Sequence, residues 1–318
     1  MKNFVIGIDL GGTKISTALS DLDGDVKSQI TIPTDAHEGE IPVLNRIIET
    51  VEYVLKSANL TTDDIRAIGI GSPGPLDAKK GIIITTPNLP FKNFNLVGPI
   101  GEKFKLPVYL DNDANVAAIG EFMFGAGKGT ENMVYFTVST GVGGGAVLNG
   151  KIYRGNTSNA LEIGHTTVVS EGPRCGCGNL GCLEAVASGT AIGKRGREAV
   201  ESKVETSLKK YDTVTSAEVF KEAAAGDDVS KDIVNTALNY LGIGIANAIA
   251  TFDPEVVIIG GGVSKAGKIV FDKVQEVVNK RCFKAMAEAC RIVPAGLGTD
   301  AGVVGAVALA IMESNNLY

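Results

Sequence analysis

At 318 residues, with 44% hydrophobic content and 40 glycines, the chain can fill the cores of two domains, and its composition suits an α/β protein with many tight turns. A formal charge of −6 offers no general attraction to nucleic acid or acidic lipid. Five cysteines, an odd number, do not make a secreted disulfide framework and fit a reducing, cytoplasmic compartment.

The opening run MKNFVIGIDLGG enters a glycine turn rather than a cleavage site, so it reads as a buried strand over Phe4–Ile8 and not as a leader. No apolar stretch reads as long enough to cross a bilayer. The segment DLGGTK then sets Asp9 beside Gly11, Gly12, Thr13 and Lys14. Such a loop can cradle phosphate with its N–H groups while Asp9 holds a magnesium ion or its waters; a plain turn is the alternative, and the Walker spacing is absent. Residues 19–24 read as a strand end and a hairpin turn, which makes the first two strands antiparallel.

Residues 42–59 have helical spacing, with Asn59 as a stop, and 65–70 are a strand running into GSPGP, where Gly74 lies. A rigid loop at the C-terminal end of such a strand is where open α/β sheets place ligands. TPNLP, residues 86–90, is a second rigid loop with Asn88 as its only amide, or else a simple proline turn. A strand over 107–110 delivers DNDAN. There Asp113 caps the following helix, or serves as a general base held by Asn112, and a strand-to-helix corner can do both.

Residues 133–138 form a strand, followed by STGVGGG with Thr140, Gly141, Gly143 and Gly144, whose small residues favour close approach to phosphate. Residues 146–153 read as the return strand, with Asn149-Gly150 as its turn. The chain thus repeats its opening strand–turn–strand device, the plan of a duplicated actin-like ATPase fold.

The segment from Glu162 to Glu184 gathers His165, Cys175, Cys177 and Cys182, one of two histidines and three of five cysteines. Thiolates and an imidazole at short spacing suit a closed zinc site; buried free thiols or a disulfide are the alternatives. Helices are expected over 184–200, 216–225 and 229–252. A strand over 256–259 ends in GGGVS, where Gly261 and Gly262 let an adenosine lie against the backbone or make a tight turn. A last strand at 291–295 and a closing helix at 301–312 complete the pattern. The expected domains are 1–112 with 300–318, and 113–299 with a structural zinc loop at 162–184.

DLGGTK, GSPGP, LDNDAN, STGVGGG, ALEIGH, CGCGNLGCLE, IIGGGVS and DAGVVGA occur in an order that resembles the ROK (repressor, open reading frame, kinase) family of sugar kinases along the whole chain. The resemblance implies a two-domain actin-like ATPase (ribonuclease H-like) α/β fold with a cleft between domains, and an ATP-dependent hexose kinase. By that resemblance Asp113 is the catalytic base toward the sugar 6-hydroxyl. Gly74, Asn88, Asn112, Glu162, His165 and Glu184 bind the sugar. Asp9, Gly11, Gly12, Thr13, Lys14, Thr140, Gly141, Gly143 and Gly144 serve phosphate and magnesium, and Gly261 and Gly262 serve adenosine. Zinc on His165, Cys175, Cys177 and Cys182 is structural. Glucose is the expected sugar, with N-acetylmannosamine or N-acetylglucosamine as the alternative, because Leu161 stands where relatives usually carry Gly. Ser139 departs in the same way. A homodimer or homotetramer is implied, with no nucleic-acid or membrane partner. The remote alternative is a sugar-responsive regulator, disfavoured by a first strand that begins at Phe4 and by the acidic balance.

Overall fold

The computed structural model describes residues 2–86 and 88–315, so within the 86–90 loop Pro87 lies outside the described residues. The chain forms two compact units, Met1–Gly129 with Lys151–Ala160 and Gly296–Tyr318, and Thr130–Gly150 with Leu161–Ala295.

The first unit is built on a five-stranded sheet of order β3-β2-β1-β4-β8, made of β1 (Phe4–Leu10), β2 (Lys14–Asp21), β3 (Val26–Pro33), β4 (Ile65–Ser72) and β8 (Val108–Asn112). β1 pairs antiparallel with β2 and parallel with β4. Helix α1 (Glu40–Ser57) turns Val43, Ile47, Val51, Val54 and Leu55 onto one face of this sheet. It ends as Asn59 takes a left-handed backbone, φ 54°, and Leu60 N–H bonds back to Leu55 O. A small sheet of β5 (Leu76–Asp77), β6 (Ile82–Thr85) and β7 (Lys92–Asn95) precedes α2 (Val97–Phe104). Helix α3 (Asp113–Phe124) follows β8 directly.

The second sheet runs β11-β10-β9-β12-β13, from β9 (Met133–Val138), β10 (Val142–Leu148), the two-residue β11 (Lys151–Ile152), β12 (Val256–Gly260) and β13 (Arg291–Pro294). It repeats the first pairing scheme: β9 is antiparallel to β10 and parallel to β12. Its core joins β9, β10 and β12 to α4 (Leu183–Ala187), α5 (Gly189–Glu201), α6 (Ser216–Ala225), α7 (Asp228–Phe252) and α8 (Lys268–Arg281). The short α9 (Lys284–Ala289) precedes β13. The final helix, α10 (Ala301–Asn315), lays Val303, Val307, Ala310 and Ile311 against Val5, Ala18 and Ala67 of the first sheet.

Four expectations are corrected. The division falls at Gly129/Thr130 and Ala295/Gly296 rather than at 112/113 and 299/300, because α3 packs on α10. A Cβ on Gly120 of α3 would come within 2.9 Å of the Gly305 Cα. The return strand begins at Val142, not Ala146, so most of STGVGGG is strand. The helix expected over 184–200 breaks at Ser188, whose hydroxyl accepts the Ala191 N–H and caps α5. Finally, α7 is long and apolar enough to cross a membrane by length and composition, yet it is a core helix with Ile233, Ala237, Leu241, Ile245 and Ile249 buried.

Candidate functional site

In the first unit, β8 ends on Asp111 and Asn112, and Asp113 follows at once. The Asn112 side chain accepts the Ala114 N–H at 2.9 Å, so Asn112 is the helix cap and Asp113 is the first residue of α3. That corrects the expectation that Asp113 caps, although its Oδ1 also lies 2.8 Å from the Ala114 nitrogen. Asp113 is exposed at a helix N-terminus, a setting that suits a carboxylate. Gly74 stands beside this corner, since a Cβ there would lie 3.2 Å from the Asn112 amide nitrogen.

The DLGG turn joins β1 to β2. Its Gly11 N–H is spent on the Lys14 carbonyl at 3.0 Å, and Thr34 braces the turn by donating its hydroxyl to Gly11 O at 2.7 Å and its N–H to Thr13 O at 3.0 Å. Asn88 sits on this turn: a Cβ on Gly12 would fall 2.6 Å from the Asn88 Cβ. Burial pushes the Asp9 carboxyl above its ordinary value, with the Lys14 ammonium pulling it back. A cation beside it would stabilise its charge, and one carboxylate plus substrate phosphates is a usual magnesium setting. The sequence motif DAGVVGA packs against this carboxylate. Its Gly302 makes room for Asp9, whose Oδ2 would be 2.5 Å from any Cβ there.

In the second unit the turn is confined to Ser139–Gly141, closed by Ser139 N–H on Gly141 O at 2.9 Å. Gly143 and Gly144 pair within the sheet with Thr137 and Phe136, and Gly144 gives room to Ile163. A cavity of about 610 Å³ opens beside the turn, lined by Thr140, Ser216, Phe220, Gly262 and Lys265 among others. It brings Thr140 and Gly262 together from two loops distant in sequence and is large enough for a nucleoside. Gly261 packs on the end of β9, where a Cβ would lie 2.4 Å from Val138 O. Phe220 and Lys265 escaped sequence reasoning because nothing in α6, or in the turn after GGGVS, marks them locally.

His165, Cys175, Cys177 and Cys182 converge, with their ligand atoms all within 4.8 Å of one another. Cys175 Sγ lies 3.6 Å from His165 Nδ1, and Cys177 and Cys182 sulfurs are 3.6 Å apart. Tetrahedral zinc with bonds of about 2.3 Å to sulfur and about 2.0–2.1 Å to nitrogen spaces its ligands by roughly 3.5–3.8 Å, so these residues fit a four-coordinate metal. All five cysteines are free thiols. Burial pushes the Cys182 thiol up to about 12 and raises Cys175, whereas the Asn179 backbone N–H holds Cys177 down.

Glu184 touches both features. Its Oε2 accepts the Val142 N–H at 3.0 Å, and its Oε1 lies 3.8 Å from the Cys175 sulfur. Glu162 is exposed and precedes the single turn Ile163–His165. Leu161, just before it, holds a left-handed backbone with φ 66°, a conformation in which glycine is unstrained.

The ROK family model matches residues 5–313. The chain belongs to the ROK family. Glucokinase of Halalkalibacterium halodurans is 37% identical over 98% of this chain and 96% of its own length. The xylose repressor of Caldicellulosiruptor bescii is 34% identical over 97% of this chain and 78% of its own. Among solved structures, the ROK hexokinase from Thermus thermophilus superposes with a TM-score of 0.87 at 37% identity, covering 98% of this chain and 99% of that one. A ROK glucokinase from Streptomyces griseus, in complex with glucose and AMPPNP, gives a TM-score of 0.77 at 32% identity, covering 97% and 99%. The fold is therefore the two-domain, actin-like α/β fold of ROK sugar kinases.

Proposed function

We propose that this protein is an ATP-dependent hexose kinase that transfers the γ-phosphoryl group of ATP to the 6-hydroxyl of a hexose, with glucose as the preferred sugar. The observation that carries this reading is the β8–α3 corner, which presents the Asp113 carboxylate at a helix start beside Asn112 and Gly74. Asp113 takes the proton of the 6-hydroxyl as that oxygen bonds to the γ-phosphorus and the bond to the β-phosphate oxygen breaks, leaving ADP. Asn112, Asn88, Glu162, His165 and Glu184 orient the sugar through directional hydrogen bonds. Lys14, Thr13 and the Gly11-Gly12 and Thr140–Gly144 segments serve the phosphates, while Asp9 offers a carboxylate to magnesium, which neutralises developing charge on the phosphoryl oxygens when bound. Gly261, Gly262 and the adjoining cavity take the adenosine.

Zinc on His165, Cys175, Cys177 and Cys182 is structural in this reading. With its four positions filled, it fixes His165 through one ring nitrogen and leaves the other to meet a sugar hydroxyl. The enzyme works in the cytoplasm as a homodimer or homotetramer. An N-acetylmannosamine or N-acetylglucosamine kinase is the nearest variant. A sugar-responsive regulator is the second reading, favoured by the xylose repressors that align with this chain.

ADP release coupled to glucose, mannose, fructose, xylose and the two N-acetyl sugars separates these readings. Glucose is expected to give the highest kcat/KM. An N-acetyl sugar in first place would reassign the substrate, and sugar binding with no ADP release would favour the regulator.

A further inference from the structure

Arg154 lies on Lys151–Ala160, the segment by which the chain re-enters the first unit. Its Nε donates to Asp111 Oδ2 at 2.6 Å and its Nη2 donates to Glu313 Oε1 of α10, also at 2.6 Å. The Asp111 side chain has no exposed surface. Burial works against the guanidinium charge, and the two carboxylates overcome it, holding Arg154 above its ordinary pKa.

The second oxygen of Asp111 looks the other way along the chain. Oδ1 accepts the Asn112 N–H at 2.8 Å and the Asn115 side-chain amide at 2.8 Å. Those donors stand on either side of Asp113, one on the residue before it and one a half-turn after. Asn115 is 2% exposed, and its own Oδ1 is buried with no partner, so its bond to Asp111 is what orients the amide. An ionised carboxylate accepts only, which fixes the amide with nitrogen toward Asp111.

We propose that Asp111 and Arg154 are positioning residues for Asp113: the Glu313–Arg154–Asp111 chain, half-buried at its arginine and fully buried at Asp111, bolts the first turn of α3 so that the base keeps one orientation. Neither residue is a reacting group. The inference rests on the reading of Asp113 as the base. Removing Arg154 leaves a buried carboxylate without its counter-charge, a state that proteins relieve by protonation or by admitting water. Either outcome weakens the bonds to Asn112 and Asn115 and lets the turn carrying Asp113 move. A misplacement of about 1 Å at a reacting group costs on the order of 100-fold in rate.

The test compares Arg154→Met, Asp111→Asn, the double variant, Arg154→Lys and Asp113→Asn in full-length protein. Turnover is counted per sugar-binding site, and sites are titrated by calorimetry with glucose. Arg154→Met and Asp111→Asn are expected to lower kcat about 10- to 100-fold while KM for ATP stays within about twofold. Arg154→Lys recovers part of the loss by restoring the charge without the fork, and the double variant is no worse than Arg154→Met alone. If Arg154→Met does not fold, Asp111→Asn decides, because it keeps volume and an acceptor oxygen. A kcat per site within twofold of wild type in Asp111→Asn overturns the proposal, as does a loss explained wholly by fewer binding sites. Full turnover in Asp113→Asn would instead remove the base reading itself.

Discussion

The two units share one pairing scheme, an antiparallel hairpin extended by parallel strands, but they stiffen their chemical loops differently. In the first unit the reactive corner grows straight out of a packed strand and helix. Buried carboxylates finish the work: Asp111 holds the start of α3, and Glu121, fully buried, accepts the N–H groups of Ala126, Gly296 and Leu297 at 2.9–3.0 Å. In the second unit, the stretch from Leu161 to α4 contains one short turn, Ile163–His165, and two isolated bridges. With so little regular structure to lean on, it gathers three thiols and an imidazole. Hydrogen bonds to the backbone suffice where the sheet already fixes direction; a loop without that support is where the proposed zinc would serve as a cross-link.

That contrast can be broken experimentally. Cys175→Ser, or prolonged chelation, is expected to strip stoichiometric zinc and raise the sugar KM by about tenfold or more, with metal content read by mass spectrometry and KM by coupled assay. A fully active, zinc-free wild type would leave the loop without its proposed brace. Glu121→Ala in the other unit empties a fully buried side-chain site and takes the acceptor from three part-buried N–H groups, and urea melts should show a loss of about 2–4 kcal/mol with zinc still bound. Leu161→Ile puts a β-branched side chain into the left-handed backbone before Glu162 and is expected to cost about 1–2 kcal/mol, whereas Leu161→Asn costs less. Equal melts for the two would remove backbone strain from that position.

The smallest effect concerns acid. Bonds from Lys210, Ser207 and Tyr211 hold Glu222 at about 2. Burial opposes the charge on Asp227, yet bonds from Ser230, Ser207 and Thr206 bring it to about 2 as well. Both folded values lie below the ordinary carboxylate values of 4.5 and 3.8, so their stabilisation is complete above those values and is lost as pH falls toward 2. Circular-dichroism melts between pH 5 and about 2 should show a steeper loss of Tm for wild type than for Glu222→Gln. Parallel curves would deny the carboxylate its part.

Much of this molecule was legible in its residues. Strands at 133–138 and the helix at 216–225 fall where periodicity and capping signals put them. In the second unit STGVGGG and GGGVS meet at one cavity through Thr140 and Gly262, and the Cys/His cluster gathers from one short stretch of chain. What escaped was one local choice and several long-range contacts. Asn112 outcompetes Asp113 for the cap because its side chain reaches Ala114 from just outside the helix, a choice that DNDAN leaves open. Gly302 and Gly305 in DAGVVGA matter only through Asp9 and Val116, more than 180 positions away in sequence for the latter, where a Cβ would fall 2.2 Å from the Val116 carbonyl. Helix α8, outside the expected elements, has Val270, Val274, Val277 and Val278 at a helical spacing that is legible in the sequence.

Phosphorus-31 spectroscopy of the reaction with glucose and magnesium-ATP tests the central claim most directly, with wild type and Asp113→Asn run side by side at matched glucose occupancy. Wild type should convert ATP to ADP with stoichiometric appearance of a phosphomonoester on the sugar 6-oxygen, and Asp113→Asn should bind glucose yet form less than about a thousandth as much per site. A comparable rate of phosphomonoester formation in Asp113→Asn, or phosphate released to water in place of sugar phosphate in wild type, would contradict the account.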